Sequence, residues 1–273
     1  MGHEVSRALA RRPGVTVATE IGLTGPGMPS SVEVGEGVGT IRLVDGSSAG
    51  ARAELERALA ELRGKHDVVV AVDFTHPSAV NANADTYNAC GLPFVMGTTG
   101  GDRERLVAST KEARNPAVIA PNMCKQIVAF QAMMEHMAQR FPGSFSGYGL
   151  SVVESHQKTK ADTSGTAKAV VKSLSSLTGA PYPEERITKV RGEEASARFG
   201  VPERFLAGHA WHTYRLESPD GTVAFQFQHN VDGRATYAEG VADAVEFLAA
   251  KVLAKAEPRV FSMIDVLEAG GMR

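Results

Sequence analysis

His156, Lys158 and Lys160 lie within five residues of one another, and Ser164-Gly165-Thr166 follows directly. A histidine, with a reference pKa of about 6.5, gives or takes a proton near neutrality, and a neighbouring lysine adds an ammonium donor and a fixed charge. Ala167, Val170, Val171, Leu174 and Leu177 then recur at helical spacing, which places an N-cap at Ser164. The amides of Ser164, Gly165 and Thr166 would open that helix, where unpaired N–H groups and the helix dipole favour an anion such as a carboxylate. The chemistry implied is proton transfer to an anionic substrate. Each part alone would be ordinary, a solvated histidine or a lysine loop; the conjunction is what carries the reading. His3, His66, His76, His136, His209, His212 and His229 lack such company and read as surface or core histidines. No metal site is expected, because no carboxylate or second histidine stands at ligand spacing on a shared element. Cys90 and Cys124 are far apart and without CxxC spacing, which argues against zinc and against a disulfide framework.

Several elements must position these groups. Residues 147 to 156, GYGLSVVESH, read as a strand that delivers His156 at its end. Further on, two strands flank Pro219-Asp220-Gly221 as a hairpin, with Val223, Phe225, Phe227 and His229 alternating with polar residues. Such an open sheet has one apolar face, to be covered by the helix from Thr166 or by another subunit, so a homo-oligomer is expected. Upstream the pattern alternates: apolar runs at 68–74, 92–99 and 117–123 are followed by helices from Pro77, Asp102 and Lys125. Continuous apolar runs between helices mean a parallel sheet covered on both faces. Ligands of such sheets bind outside the carboxyl ends of the strands, so Phe74, Thr75, Gly97, Thr98, Thr99 and Asn122 would face one nucleotide crevice. A complete Gly-x-x-Gly-x-x-Gly fingerprint is absent, and only Gly2 could be its last member. The chain opens on a helix, GHEVSRALARRPG, in which Val5, Ala8, Leu9 and Arg12 share a spacing. A strand over 15–21, a Gly/Pro/Ser-rich loop to about Ser48 with one short strand GTIRLV, and a helix from Arg52 to Arg63 follow. Residues 235–254 are helical and the tail FSMIDVLEAGGMR reads as a short helix packing back on the first domain. The expected architecture is α/β: a Rossmann-like doubly wound parallel sheet without its first strand, over 1–124 with 246–273 packing back, plus an α+β substrate-binding and oligomerisation domain with an open mixed sheet over 125–245.

At 273 residues with 43% hydrophobic side chains, two domains can each bury a core. A net charge of −2 with no like-charge run gives no electrostatic support for a nucleic-acid or membrane partner. No apolar run approaches the roughly 20 residues needed to cross a bilayer, no signal-peptide pattern opens the chain, and the protein reads as soluble. A semialdehyde dehydrogenase would need a cysteine beside a base, which neither Cys90 nor Cys124 has in sequence. A redox-sensing binding protein would have no use for His156, Lys160 and Ser164-Gly165-Thr166 together.

The segment ESHQKTKADTSGTA resembles the motif of dihydrodipicolinate reductases, and DFTHPSAV, GLPFVMGTTGGD, APNMCKQIVAF, FPGSFSGY, FQHNVDGR, YAEG and MIDVL are similar to the plant and algal branch of that family. The resemblance runs from about residue 67 to the end. It implies reduction of the cyclic dicarboxylate 4-hydroxy-tetrahydrodipicolinate to tetrahydrodipicolinate, with loss of water, by NADPH or NADH in lysine biosynthesis. It implies His156 as proton donor or acceptor and Lys160 as proton donor. Gln157, the residue after the histidine, would contact substrate, and Ser164, Gly165 and Thr166 would hold a substrate carboxylate. Phe74 and Thr75 would lie along the diphosphate and adenosine path, Gly2 would be the last glycine of the cofactor-binding fingerprint, Gly97, Thr98 and Thr99 would approach the nicotinamide ribose, and Ala120, Pro121, Asn122 and Met123 would line the nicotinamide side. Members of the family begin with a strand carrying the glycine fingerprint, whereas this chain starts at its last Met-Gly pair, so a truncated gene model or fragment with weakened cofactor affinity is expected. A plant or algal source implies the chloroplast stroma, any other source the cytoplasm.

Overall fold

The computed structural model describes residues 1–35 and 37–270. Residue 36, inside the expected loop to Ser48, and 271–273, the end of the expected C-terminal tail, lie outside the described residues. The chain runs α1 (Gly2–Ala10), β1 (Gly22–Thr24), β2 (Ser31–Glu33), β3 (Thr40–Asp45), α2 (Ala51–Arg63), β4 (Ala71–Asp73), α3 (Val80–Ala89), β5 (Phe94–Met96), α4 (Arg103–Glu112), β6 (Ala117–Ile119) and α5 (Lys125–Arg140). It continues with β7 (Gly149–His156), α6 (Gly165–Thr178), β8 (Thr188–Val190), α7 (Glu193–Arg198), β9 (His209–Glu217), β10 (Ala224–Asp232), α8 (Ala235–Leu253), β11 (Val260–Phe261) and α9 (Met263–Glu268). Two compact units result, one of Met1–Lys125 with the described residues from Tyr237 on, the other of Gln126–Thr236.

In the first unit a parallel sheet has the order β11-β6-β5-β4, and a three-stranded sheet has the order β1-β3-β2. Phe94, Met96, Ala117 and Ile119 pack with Val80, Ala84, Tyr87 and Leu106 of α3 and α4 on one face. Val95 and Val118, at the alternate positions, are also fully buried, so both faces of the sheet are covered. The Asp102 side chain caps α4 by accepting from the Arg105 amide at 2.9 Å. The expected strand over 15–21 is displaced: pairing begins at Gly22 against Leu43. A β-branched run favours extended backbone, but a strand exists only where a neighbour supplies the ladder. For the same reason β4, β5 and β6 are shorter than the apolar runs that contain them, and β2, which carries no apolar run, forms against β3. Helix α1 ends at Ala10, before Arg12, whose guanidinium turns to Asp243 of α8.

Residues 237–245 fall in the first unit because α8 is anchored there. A Cβ on Gly240 would stand 1.7 Å from the Met123 carbonyl oxygen, a backbone atom that cannot swing aside. Gly240→Ala is therefore expected to lower stability by about 1–3 kcal/mol, the scale of overpacking. Urea unfolding checks this, and an unchanged midpoint would refute the close approach.

The second unit is built on a mixed sheet of order β10-β9-β7-β8. Its covered face packs Val152, Tyr214, Leu216 and Phe227 against Ala167, Val170, Val171, Leu174 and Leu177 of α6 and Met134 and Ala138 of α5. The helix that follows the Ser-Gly-Thr segment thus covers the sheet.

Candidate active site

Register explains how the second unit gathers its polar groups. Glu154 of β7 stands opposite His212 of β9, which stands opposite His229 of β10. Directly opposed residues share a face, and His156 shares Glu154's face two positions along. The apolar face that holds Val152, Tyr214 and Phe227 therefore continues into a row of one carboxylate and three imidazoles.

The rings are hydrogen-bonded in series. His156 Nε2 lies 2.9 Å from His212 Nε2, and His212 Nδ1 lies 3.1 Å from His229 Nε2. Burial pushes His156 down to about 3, with Arg191 and Lys160 adding positive charge against a further proton. Burial also holds His212 well below the ordinary histidine value, helped by His229, His156, Arg191 and Lys160, and lowers His229 to about 4. On the opposite face Ser155 Oγ meets His209 Nε2 at 2.8 Å.

Glu154 is fully buried and organises the 157–163 loop. One oxygen pairs with the Arg191 guanidinium and the other accepts from the Ser164 amide at 3.0 Å. Arg191 in turn donates to the Lys160 carbonyl at 2.7 Å and the Asp162 carbonyl at 3.2 Å, so the 157–163 loop is tied to β7 through one guanidinium. Lys160 Nζ donates to both carboxylate oxygens of Asp162, at 2.9 and 3.0 Å, and these bonds together with the ammonium charge lower the Asp162 carboxyl. Ser164 is the N-cap of α6, and Gly165 opens onto free space where a Cβ would stand. The expectation that all three amides of Ser164, Gly165 and Thr166 await an anion needs one revision, since the Ser164 amide already serves Glu154. Gln157 is half-buried and Lys158 exposed beside them.

Among the described residues, Glu154, His156 and His212 form a group of possible metal ligands, with ligand atoms within 4.8 Å of one another. Two observations speak against an ion there. Both Glu154 oxygens are engaged, and the facing Nε2 atoms at 2.9 Å are closer than the roughly 3.3 Å between two nitrogens on a tetrahedral zinc with ordinary Zn–N bonds.

The first unit aligns three strand ends. Asp73, Met96 and Ile119 are in register, so Phe74, Gly97 and Ala120 are the next residues on three neighbouring parallel strands. Gly97 is required by packing: a Cβ there would stand 2.2 Å from the Phe74 ring. Buried Asp73 orders the first turn, accepting from the Thr75 amide at 2.9 Å, the Thr75 hydroxyl at 2.7 Å, Asn83 at 2.9 Å and Tyr87 at 3.0 Å. Burial and the Asp73 charge raise the Tyr87 hydroxyl well above its usual range. Thr98 Oγ1 donates to the Thr75 carbonyl at 2.9 Å, and Asn122 Oδ1 accepts from the Cys124 amide at 2.8 Å. Thr99 and Pro121 stand in the same two strand-end loops, Met123 is buried, and Gly2 is the first residue of α1.

Residue spacing alone did not single out Glu154, Arg191, His209, His212, His229 or Asp73. The period-two pattern did contain a signal for the first and for two of the histidines: Val152-x-Glu154-x-His156, His212-x-Tyr214-x-Leu216 and Phe225-x-Phe227-x-His229 each place a polar residue in an apolar row.

The depressed histidines carry a stability consequence. Below about pH 6.5 the unfolded chain binds protons that folded His156 and His212 refuse, so their contribution is present above that pH and is lost as pH falls toward the folded values. Each adds at most about 1.4 kcal/mol per pH unit to the slope. Denaturant unfolding at pH 7 and pH 5 should show this loss, and the double substitution His156→Gln/His212→Gln should flatten it.

Comparison with known proteins agrees with both halves. Residues 1–123 match the family model described as dihydrodipicolinate reductase, N-terminus, and residues 126–267 match its C-terminus. The 4-hydroxy-tetrahydrodipicolinate reductase 1, chloroplastic, of Arabidopsis thaliana is 53% identical over 81% of this chain; the chain spans 63% of that relative's length. A 4-hydroxy-tetrahydrodipicolinate reductase of Rubrobacter xylanophilus is 30% identical over 98% of this chain and 94% of its own length. In fold, the chain is similar to the dipicolinate-bound dihydrodipicolinate reductase of Paenisporosarcina sp. TG-14, with a TM-score of 0.60 over 96% of this chain and 93% of that one at 16% identity. Two family halves met in order along one chain, over a parallel sheet and a separate mixed sheet, lead to one conclusion: this chain belongs to the dihydrodipicolinate reductase family.

Proposed function

We propose that this chain reduces 4-hydroxy-tetrahydrodipicolinate to tetrahydrodipicolinate with NADPH or NADH, in the diaminopimelate route to lysine. The observation that carries the reading is the gathering of His156, Arg191 and the Ser164 amide around one buried carboxylate at the opening of α6, with Lys160 in the loop that Arg191 ties down. That cluster offers a neutral imidazole, an ammonium and a helix N-terminus to a dianionic substrate. The substrate carboxylate is held by the amides of Gly165 and Thr166 and by the hydroxyls of Ser164 and Thr166, with Gln157 at its side. Proton transfer falls to His156 and Lys160. In the absence of substrate His156 is neutral at pH 7; an arriving dicarboxylate offsets Arg191 and Lys160 and raises its affinity for a proton.

The nicotinamide cofactor supplies the hydride. The residues present fit such a group, because the strand ends Phe74-Thr75, Gly97-Thr98-Thr99 and Ala120-Pro121-Asn122-Met123 are register-matched, and Gly97 and Phe74 interlock without a Cβ between them. Gly2 adds an amide at the start of α1. The domain roles in this reading are nucleotide binding in the first unit and substrate binding and self-association in the second, Gln126–Thr236. No helix among the described residues is long and apolar enough to cross a membrane, and no nucleic-acid or membrane partner enters the reading. A chloroplast stromal location is proposed on the likeness to the plant relatives, and a homo-oligomer on the sheet of the second unit. Mass photometry showing only monomer would overturn the latter.

The test is NADPH oxidation followed by absorbance, with substrate generated in place from pyruvate and aspartate semialdehyde by the preceding pathway enzyme. Oxidation that depends on that mixture is expected. Oxidation independent of it, or none at any concentration of chain, would overturn the reading.

A further inference from the structure

We propose that His212 and His229 are positioning residues for His156, the three imidazoles forming one relay that fixes the tautomer of His156 and passes a proton to it. The proposal rests on the reading of His156 as the proton-transferring group. Its basis is geometric. Three rings on three adjacent strands are joined nitrogen to nitrogen at 2.9 and 3.1 Å, with centroids 5.1 and 4.6 Å apart. Every ring nitrogen along the contact line faces another ring nitrogen, so one polarity of donors must run through the whole chain.

The surroundings choose that polarity. A buried N–H without an acceptor is costly, and His229 Nδ1 is buried without a partner among the described residues, so the proton of His229 sits on Nε2, which faces His212 Nδ1 at 3.1 Å. His156 Nε2 is then an acceptor, His212 donates to it from Nε2, and His229 donates from Nε2 to His212 Nδ1. The last atom of the series, His229 Nδ1, is left as a bare lone pair. A proton reaching His229 Nδ1 displaces the Nε2 proton of His229 to His212 Nδ1, and the Nε2 proton of His212 moves to His156 Nε2. One N–H bond breaks for each that forms between rings. His156 ends as an imidazolium and the other two rings end neutral, each with its proton on Nδ1.

The charged and titratable groups facing the relay come from every packed element. Glu154 on β7 is the one buried carboxylate, and its charge is matched by Arg191 beyond β8. Lys160 and Asp162 belong to the loop after β7, and His209 and Tyr214 to β9, with Tyr214 0% exposed and within 6.2 Å of both His212 and His229 ring centroids. Burial, with the nearby charges of Arg191 and Lys160, disfavours an imidazolium until an anionic substrate is present, so the relay charges His156 on demand.

The experiment uses the full chain with His212→Gln and His229→Gln, and His212→Phe as a shape-conserving control. Steady-state NADPH oxidation is followed from pH 5 to 10, beside long-range nitrogen NMR spectra of histidine-labelled protein without substrate. The expected kinetic result is a kcat about 10²-fold lower in His212→Gln and about tenfold lower in His229→Gln, the scale of general acid–base catalysis and a fraction of it. The KM for NADPH should stay unchanged and the alkaline limb of the kcat profile should move. The expected spectrum shows His156 as a single Nδ1-protonated tautomer that becomes a mixture in His212→Phe. Variants that turn over with the parent's pH profile, or a His156 tautomer indifferent to His212, would overturn the relay. If the parent chain does not turn over, the functional reading fails and the spectra alone decide the relay. If His212 variants do not fold, His229→Gln, at a half-buried edge position, decides it by the same two readouts.

Discussion

In the His156→Gln chain, substrate-dependent NADPH oxidation is expected to fall by about 10²- to 10⁴-fold, the range for loss of a positioned acid–base group. Glutamine keeps much of the ring's volume and can still hydrogen-bond, so His212 is not left facing a void, but it cannot carry a proton between the relay and substrate. NADPH binding should be unaffected, because the residues proposed to hold it stand at strand ends of the other unit. Lys160→Gln should lose activity on the same scale while leaving Asp162 a neutral partner. The pH dependence adds a signed check. The free enzyme's His156 titrates at about 3, so it carries no second proton at pH 7 until the anionic substrate is bound. Bound dianion favours the imidazolium, the form that donates, so the alkaline limb of kcat should follow the raised proton affinity of His156 in the complex. A His156→Gln chain with the parent's kcat would remove this residue from the chemistry. Equal loss of NADPH binding would show instead that the substitution had disturbed the fold.

Asp243→Ala is expected to lower stability by about 3–5 kcal/mol, the scale for removing one partner of a buried ion pair. The Asp243 carboxylate is 1% exposed and lies between Arg12 Nη2 at 2.9 Å and Lys125 Nζ at 2.5 Å. Without it, two largely buried cations face each other. Arg12 keeps Glu239 at 3.0 Å, on the same helix, but Glu239 is half-exposed and screened, so it replaces little of what is lost. Lys125 opens α5 and Asp243 lies one turn beyond Gly240, so the damage would reach the Met123 segment proposed to line the nicotinamide. Urea unfolding measures the effect. The triple change Asp243→Leu, Arg12→Met, Lys125→Met discriminates its cause: an apolar replacement of the whole cluster should recover most of the stability. A small loss in Asp243→Ala would mean that water reaches the cluster.

The helices that bracket the site were legible in the chain itself. Apolar residues at a period of 3.6, Asp102 and Ser164 at caps and Pro77 at a first turn are local signals, because each depends only on neighbours a few residues away. The nearness of His156 and Lys160 to the Ser164-Gly165-Thr166 turn is local too, and so is the family resemblance that those segments carry. Strand limits were less legible. The run at 15–21 has the composition of a strand, yet the ladder starts at Gly22, since pairing needs a partner that composition does not name.

What only the tertiary structure decided is the company each group keeps. Glu154 reads in sequence as one more acidic residue; folded, it is fully buried, joined to an arginine 37 residues away and to the Ser164 amide at the start of α6. His212 and His229 read as ordinary histidines until the β9–β10 and β7–β9 registers set them opposite one another and beside His156. Asp243 reads as a helix-surface residue until Arg12 and Lys125 meet it in the core of the first unit. The physical reason is the same in each case. Propensity and spacing act over a few residues, whereas proton affinity depends on burial and on charges within several ångströms, wherever in the chain they originate.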